Sequence, residues 1–163
     1  MVRAPGRKAR GVRNTLYERD FYAWANEQAA LLRAGRLAEA DLENIAEEIE
    51  SMGRSEKREM VSRLTVLLTQ LLKWQYQPTL RSRSWRNTIA VQRDDIVEHL
   101  ADNPSLKDKV PDVLTSAYRK AIFAAANETG FDSTTFSPAC PWTYEQIVDA
   151  SFWPDDATQE GTP

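Results

Sequence analysis

Apolar and aromatic side chains recur three or four positions apart along most of the chain, which is the spacing of one face of an α-helix. The first such run predicts a helix over residues 16–34, which ends at Gly35. Its start is capped either by Thr15, in a capping box with Glu18, or by Asp20. The residues of its inner face are Tyr17, Phe21, Trp24, Gln28 and Leu31.

Two further helices are predicted next, separated by a glycine. Asp41 caps the first of them, and Gly53 interrupts the pattern. The third helix of the chain then runs over residues 55–76, and Pro78 prevents its extension. This third helix is apolar around nearly its whole circumference, which indicates a central position in a bundle. The second helix has a predicted buried stripe of Leu42, Ile45, Ile49 and Met52.

The second half of the chain predicts a fourth helix over residues 82–102 and a fifth over about 110–128. Thr143 and Gln146 have the spacing of a capping box, which predicts a short helix over residues 144–148. Aromatic side chains are dense in the irregular C-terminal segment, which indicates that the segment packs on the helices. These aromatic residues are Phe131, Phe136, Trp142, Phe152 and Trp153.

No segment has the alternation of a strand, so the chain is predicted to be all-α, a bundle of about five main helices with a short C-terminal helix and an irregular aromatic-rich tail. Its 163 residues fit one domain over 15–154, between a flexible basic arm at 1–14 and a frayed tail at 155–163. The single cysteine, Cys140, permits no disulfide within the chain, and no apolar run approaches the roughly 20 residues of a membrane-spanning helix. We therefore expect a cytoplasmic protein without membrane contact.

Residues that carry enzyme chemistry are sparse. The only histidine, His99, lies four residues after Asp95, and this spacing favours a surface pair near the helix C-terminus over a catalytic pair. Neither of the glycine-rich phosphate-binding patterns occurs, and the second histidine of a di-iron bundle is lacking. A carboxylate-based metal site or enzyme around Glu47, Glu50 and His99 ranks last among the hypotheses. The sequence thus predicts no cofactor, no catalytic residue and no metal centre, and it weighs against an enzyme.

Charge is separated along the chain. Residues 39–50 hold six acids and no base, whereas residues 81–93 hold four bases and no acid. This separation favours a noncatalytic helical interaction module that binds a protein partner or a second copy of itself. The alternative is single-stranded nucleic-acid binding by Arg81, Arg83 and Arg86 together with the basic arm, because arginines beside aromatic rings suit phosphates and stacked bases. The net charge of −3 makes nucleic acid the less favoured partner.

Several short motifs occur together in the chain. They are Leu16-Tyr17-Glu18 with Asp20-Phe21 and Trp24, Glu47-Glu48-Ile49-Glu50 with Met52-Gly53, Leu71-Leu72-Lys73-Trp74, Ser84-Trp85, and Cys140-Pro141-Trp142. In this combination, over residues 16–154, the chain resembles the bacterial domain-of-unknown-function family 29. The resemblance implies a small helical protein with no established activity. It also implies a histidine where this chain has Gln70, which weakens the enzyme hypothesis further. The motif residues that carry over as candidates for a shared surface or a buried polar network are Glu47, Glu50, Lys73, Trp74, Trp85, Arg86 and Arg93.

Overall fold

The computed structural model describes residues 16–157, and all regular structure within that range is helical. The all-α prediction is therefore confirmed. The predicted basic arm at residues 1–14 and residues 158–163 of the predicted tail lie outside the described residues. The α-helices are α1 (Phe21–Arg33), α2 (Leu42–Tyr76), α3 (Arg83–Asp102), α4 (Val110–Thr129) and α5 (Tyr144–Val148). A short helical stretch covers residues 16–19, and 3₁₀ turns cover Pro78–Leu80, Pro104–Lys109 and Ser133–Thr135.

One long helix, α2, replaces the two helices that the sequence predicted on either side of Gly53. The predicted break was wrong, and the described chain therefore has four long helices rather than five. A glycine inside a helix costs only about 1 kcal/mol relative to alanine and keeps its backbone hydrogen bond, so interactions between neighbouring side chains can offset the cost. Here Arg54 pairs across Gly53 with Glu50, one turn earlier, at 3.7 Å and with Glu47, two turns earlier, at 2.9 Å.

The chain forms two compact units, and the boundary between them falls inside α2, between Arg54 and Ser55. In the first unit α1 begins at Asp20, whose carboxylate accepts a hydrogen bond from the Ala23 amide, and Gly35 follows its C-terminus with a φ of +70°. The predicted cap at Asp20 is confirmed, and Thr15, the alternative, lies outside the described residues. A positive φ is easily adopted only by glycine, which explains why Gly35 follows the C-terminus of α1.

The first unit has a small and partly polar core. Trp24 is buried and its indole nitrogen donates to the Asp41 carboxylate at 3.2 Å. Gln28 is also buried, and its side-chain oxygen accepts from the Asp41 amide at 2.6 Å. Asp41 additionally caps the start of α2 by accepting from the Asn44 amide at 3.4 Å, and it also accepts from the Asn44 side-chain nitrogen at 2.7 Å. Polar side chains thus hold α1 and the start of α2 together, where the sequence predicted an apolar stripe.

The second unit contains the main hydrophobic core. The second half of α2 supplies its centre, and α3, α4, α5 and the C-terminal segment pack around it. The apolar side chains over residues 61–74, which the sequence predicted to surround the third helix, are buried except at Val66, which is exposed. The predicted docking of the C-terminal aromatics is found at Phe136 and Trp142, which are buried in this core. The fully buried large side chains are Met60, Leu64, Leu67, Leu68, Leu71, Leu72, Ile89, Ile96, Ile147 and Val113.

Local capping chemistry fixes the helix ends of the second unit. Ser82 caps α3 by accepting from the Trp85 amide at 3.2 Å. Thr143 and Gln146 form the predicted capping box at the start of α5. Gly130 ends α4 with a φ of +77°. None of the helices in the described range is long and apolar enough to span a bilayer.

Candidate functional site

The C-terminal segment of the second unit is held against α3 by one buried arginine. Arg93 has only 3% of its surface exposed, and its guanidinium donates to the carbonyl oxygens of Ile147 at 2.8 Å and Phe152 at 2.7 Å. Burial lowers the pKa of Arg93, and the Asp149 carboxylate opposes that shift. Because the buried guanidinium donates to two backbone carbonyl oxygens, Arg93 acts as a structural clamp between α3 and the C-terminal segment. It does not belong to an exposed basic surface.

Two tryptophans meet beside this clamp and are covered by cations. The ring centroids of Trp74 on α2 and Trp153 in the C-terminal segment are 4.4 Å apart. The Arg86 guanidinium carbon lies 5.4 Å from the Trp74 centroid and 5.6 Å from that of Trp153. Arg81 approaches Trp74 at 4.7 Å and Arg93 approaches Trp153 at 5.3 Å. The arrangement is a layered cation–π cluster, in which each contact contributes about 0.5–2 kcal/mol according to its exposure.

Arg81 connects this cluster to the end of the described chain. Its Nε donates to the Trp74 carbonyl oxygen at 2.9 Å, and its terminal nitrogen forms an ion pair with Asp156. The next residue, Ala157, donates from its amide to the carbonyl oxygen of Gln75 at 3.1 Å. Residues 153–157 therefore complete the cluster from the C-terminal side.

A cavity of about 380 Å³ opens next to the cluster, where the turn after α2 leads into α3. Hereafter it is called the arginine pocket, and its lining residues are Trp74, Arg81, Ser82, Arg83 and Arg86. Three arginines line this opening, and among the described residues one carboxylate, that of Asp156, pairs with one of them. The arginines that the sequence predicted as nucleic-acid contacts thus lie together.

Lys73 and Trp85 form a neighbouring pair on the same two helices. The Lys73 ammonium nitrogen lies 4.6 Å from the Trp85 ring centroid and 2.8 Å from the Glu128 carboxylate. Trp74 is buried, and the half-buried Trp153 packs against it and against two arginines. Base stacking, which single-stranded nucleic-acid binding requires, is therefore restricted at these two rings.

A second surface of interest lies in the first unit, on α2. Leu42, Ile49 and Met52, which the sequence predicted to be buried, are 50%, 58% and 62% exposed, so that prediction was wrong for all three. Ile45 is half-buried. The spacing of these residues places them along one side of the helix, hereafter called the α2 apolar face.

With this geometry in view, comparison with known proteins gives one result. The family model described as Domain of unknown function DUF29 matches residues 16–153. The chain belongs to the DUF29 family. No curated protein and no solved structure matches the sequence.

In this DUF29 protein the predicted acidic residues Glu47 and Glu50 belong to the first unit, whereas the arginine pocket belongs to the second. Glu47 and Glu50, in the first unit, are exposed and pair with Arg54 of their own helix. Glu48, between them, accepts a hydrogen bond from the Tyr17 hydroxyl, and this bond is the main reason that the pKa of Tyr17 is raised. Both sets of contacts are made within the first unit.

The single histidine and cysteine of the DUF29 chain are engaged in local contacts. His99 Nε2 lies 2.8 Å from the Glu56 carbonyl oxygen, and Asp95 pairs with Arg63 at 2.7 Å, so the predicted Asp95–His99 pair is replaced by two separate contacts. The Cys140 thiol donates to the Trp142 carbonyl oxygen at 3.4 Å, and burial raises its pKa, which disfavours the reactive thiolate. Within residues 16–157 no three potential metal ligands of the Cys, His, Asp and Glu types come together.

Sequence reasoning missed two partners in the cation–π cluster. Trp153 was predicted only to dock, and Asp156 was assigned to the frayed tail. Trp153 and Asp156 are far along the chain from Trp74 and Arg81, and helical spacing predicts contacts only between residues a few positions apart. The only indication in the sequence was the density of aromatic residues in a segment without helical spacing.

Proposed function

We propose that this DUF29 protein is a noncatalytic interaction module that binds an amphipathic helix of another protein on the α2 apolar face. The observation that carries the proposal is the exposure of Leu42, Ile49 and Met52, half or more of whose surface is open to solvent. Single exposed apolar residues are ordinary, but three on one side of a helix form a stripe of the kind that recognises a partner helix.

Charge indicates the chemistry of the partner. Residues 42–54 hold four glutamates and one arginine, so the rim of the α2 apolar face is acidic. A second copy that used the same face would bring like charges together, which is unfavourable, whereas lysines and arginines beside the apolar anchors of the partner would be attracted. We therefore assign the face to a helix of a different protein with a basic rim.

The proposal is tested by comparative capture from cells that produce the protein. The full chain is compared with Ile49→Glu and with Phe123→Glu, a matched control because Phe123 is 65% exposed on α4. We expect a protein that wild type and the control retain and that Ile49→Glu loses by at least about tenfold, since a charge is placed where an apolar anchor would be buried. The segment of the captured protein that makes the contact, synthesised as a peptide, must bind the purified chain directly, and its affinity must be lower at high salt than at low salt.

Three outcomes would overturn the proposal. One is a set of captured proteins that is the same for all three chains. Another is a captured segment without a basic amphipathic pattern. The third is a dimer in sedimentation measurements that Ile49→Glu dissociates, since this would assign the face to a second copy.

A further inference from the structure

The arginine pocket has an unbalanced positive charge. Of its three arginines, Arg81 is neutralised by Asp156. Arg83 has no hydrogen bond or ion pair to any residue in 16–157, and Arg86 has only its ring contacts there. We propose that the arginine pocket binds the dianionic phosphate group of a small phosphorylated molecule, with Arg83 and Arg86 supplying the two matching charges.

The position of Arg86 prepares it for such a ligand. The ring centroids of Trp74 and Trp153 both lie within 5.6 Å of the Arg86 guanidinium carbon, so both indole rings contact the planar guanidinium group. A guanidinium donates its hydrogen bonds in its own plane, at its edge, and stacking does not use those donors. Arg86 is therefore held by the two rings while its guanidinium donors have no hydrogen-bond partner among residues 16–157, which lowers the ordering cost of binding an oxyanion.

The surrounding groups favour an anion as well. Ser82 lines the pocket and caps α3, a 20-residue helix that begins at Arg83 and has no acidic residue in its first turn. The positive end of the helix dipole adds to the field of the arginines. The Arg81 guanidinium is fixed by the Trp74 carbonyl oxygen and by Asp156, so it forms one wall of the cavity.

Charge and size decide between classes of anion. A carboxylate would balance only one of the two arginines that lack an acidic partner in the described chain, whereas a phosphate monoester carries close to two negative charges at neutral pH. The cavity of about 380 Å³ is large enough for a small molecule. A nucleic-acid strand is disfavoured because Trp74, the tryptophan that lines the pocket, is buried and offers little surface for base stacking. The ligand class is thus a small phosphate monoester.

The experiment uses calorimetric titration of the full chain with ribose 5-phosphate at about 50 mM salt, with dimethyl phosphate, acetate and a single-stranded oligonucleotide as comparison ligands. The test variants are Arg83→Gln, Arg86→Gln and the double variant. Arg119→Gln is the control, because Arg119 is an exposed arginine on α4. Arg83→Lys and Arg86→Lys retain the charge and lose the planar donor geometry.

We expect saturable binding of ribose 5-phosphate, at least about tenfold weaker binding of dimethyl phosphate and acetate, and a roughly tenfold loss for each glutamine variant. The lysine variants should lose less, and Arg119→Gln should equal wild type. No saturable heat up to about 10 mM ribose 5-phosphate would overturn the proposal, as would equal affinity in the double variant. Tighter binding of the oligonucleotide than of the monoester would also overturn it. Ile49→Glu should bind ribose 5-phosphate normally, which keeps this test separate from the proposed partner helix.

Discussion

Replacing Arg93 by methionine should release the C-terminal segment of this DUF29 protein. Methionine keeps most of the apolar contact of the arginine stem but removes both hydrogen bonds to the carbonyl oxygens of Ile147 and Phe152. Hydrogen bonds from a charged group contribute about 1.5–3 kcal/mol each, so the gross loss is about 3–6 kcal/mol. Removing a buried charge returns part of this, because burial disfavours the guanidinium, as its lowered pKa shows.

The net expectation for Arg93→Met is a loss of about 2–4 kcal/mol in the free energy of unfolding. For a chain of this size, that lowers the thermal midpoint by roughly 5–15 °C. Arg93→Lys should lose about half as much, because one ammonium group cannot place a donor on both carbonyl oxygens with arginine geometry. Urea unfolding monitored by circular dichroism measures the loss, and hydrogen exchange reports whether residues 143–153 open before the rest of the chain.

Arg119→Met is the matched control for Arg93→Met, since Arg119 is exposed on α4 and its replacement should change stability by less than about 0.5 kcal/mol. The reasoning is refuted if Arg93→Met costs no more than the control. It is also refuted if the amides of residues 143–153 exchange as slowly as in wild type, because the carbonyls would then have found other partners without the clamp.

Three further changes test the backbone and the titration of the core. Gly53→Ala should raise the thermal midpoint by the equivalent of about 0.5–1 kcal/mol, since the added methyl group meets no atom within 4 Å and suits a helix. Gly130→Ala should lower stability by about 1–2 kcal/mol in the same assay, because its φ of +77° is strained for alanine. The Tyr118 hydroxyl donates to the Ser137 carbonyl oxygen, and burial raises its pKa. The protonated hydroxyl therefore contributes fully to the free energy of unfolding below pH of about 10, and this contribution is lost as pH rises further. Tyr118→Phe should cost about 1 kcal/mol at pH near 7 and make the decline of stability above pH of about 10 shallower, as urea unfolding at several pH values would show.

The elements that could be predicted from the sequence are those that local chemistry decides. The starts of α3 and α5 follow from Ser82 and from the Thr143–Gln146 box, because each cap satisfies backbone amides within one turn. The end of α4 follows from Gly130, which takes the left-handed conformation. Such signals need no knowledge of the rest of the fold.

The elements that were predicted wrongly depend on interactions that compete with a local preference. Gly53 resembled a helix break, but the free-energy cost of a glycine inside a helix is small, and the ion pairs of Arg54 with Glu47 and Glu50 span this position. The pattern at Leu42, Ile49 and Met52 correctly indicates one apolar side of a helix. Periodicity identifies such a side without identifying what covers it, and in this chain no described residue covers these three well.

The basic run at residues 81–93 shows why candidate sites need the structure. Its arginines look equivalent in sequence, yet Arg93 is buried and donates to backbone carbonyls, and Arg81 is paired with Asp156. Arg83 and Arg86 have no acidic partner within residues 16–157. What separates them is the position of residues 147–156, far along the chain, which no local pattern specifies. The roles should therefore separate by experiment: substitution of Arg93 should change stability, whereas substitution of Arg83 should change phosphate affinity and leave stability within about 0.5 kcal/mol.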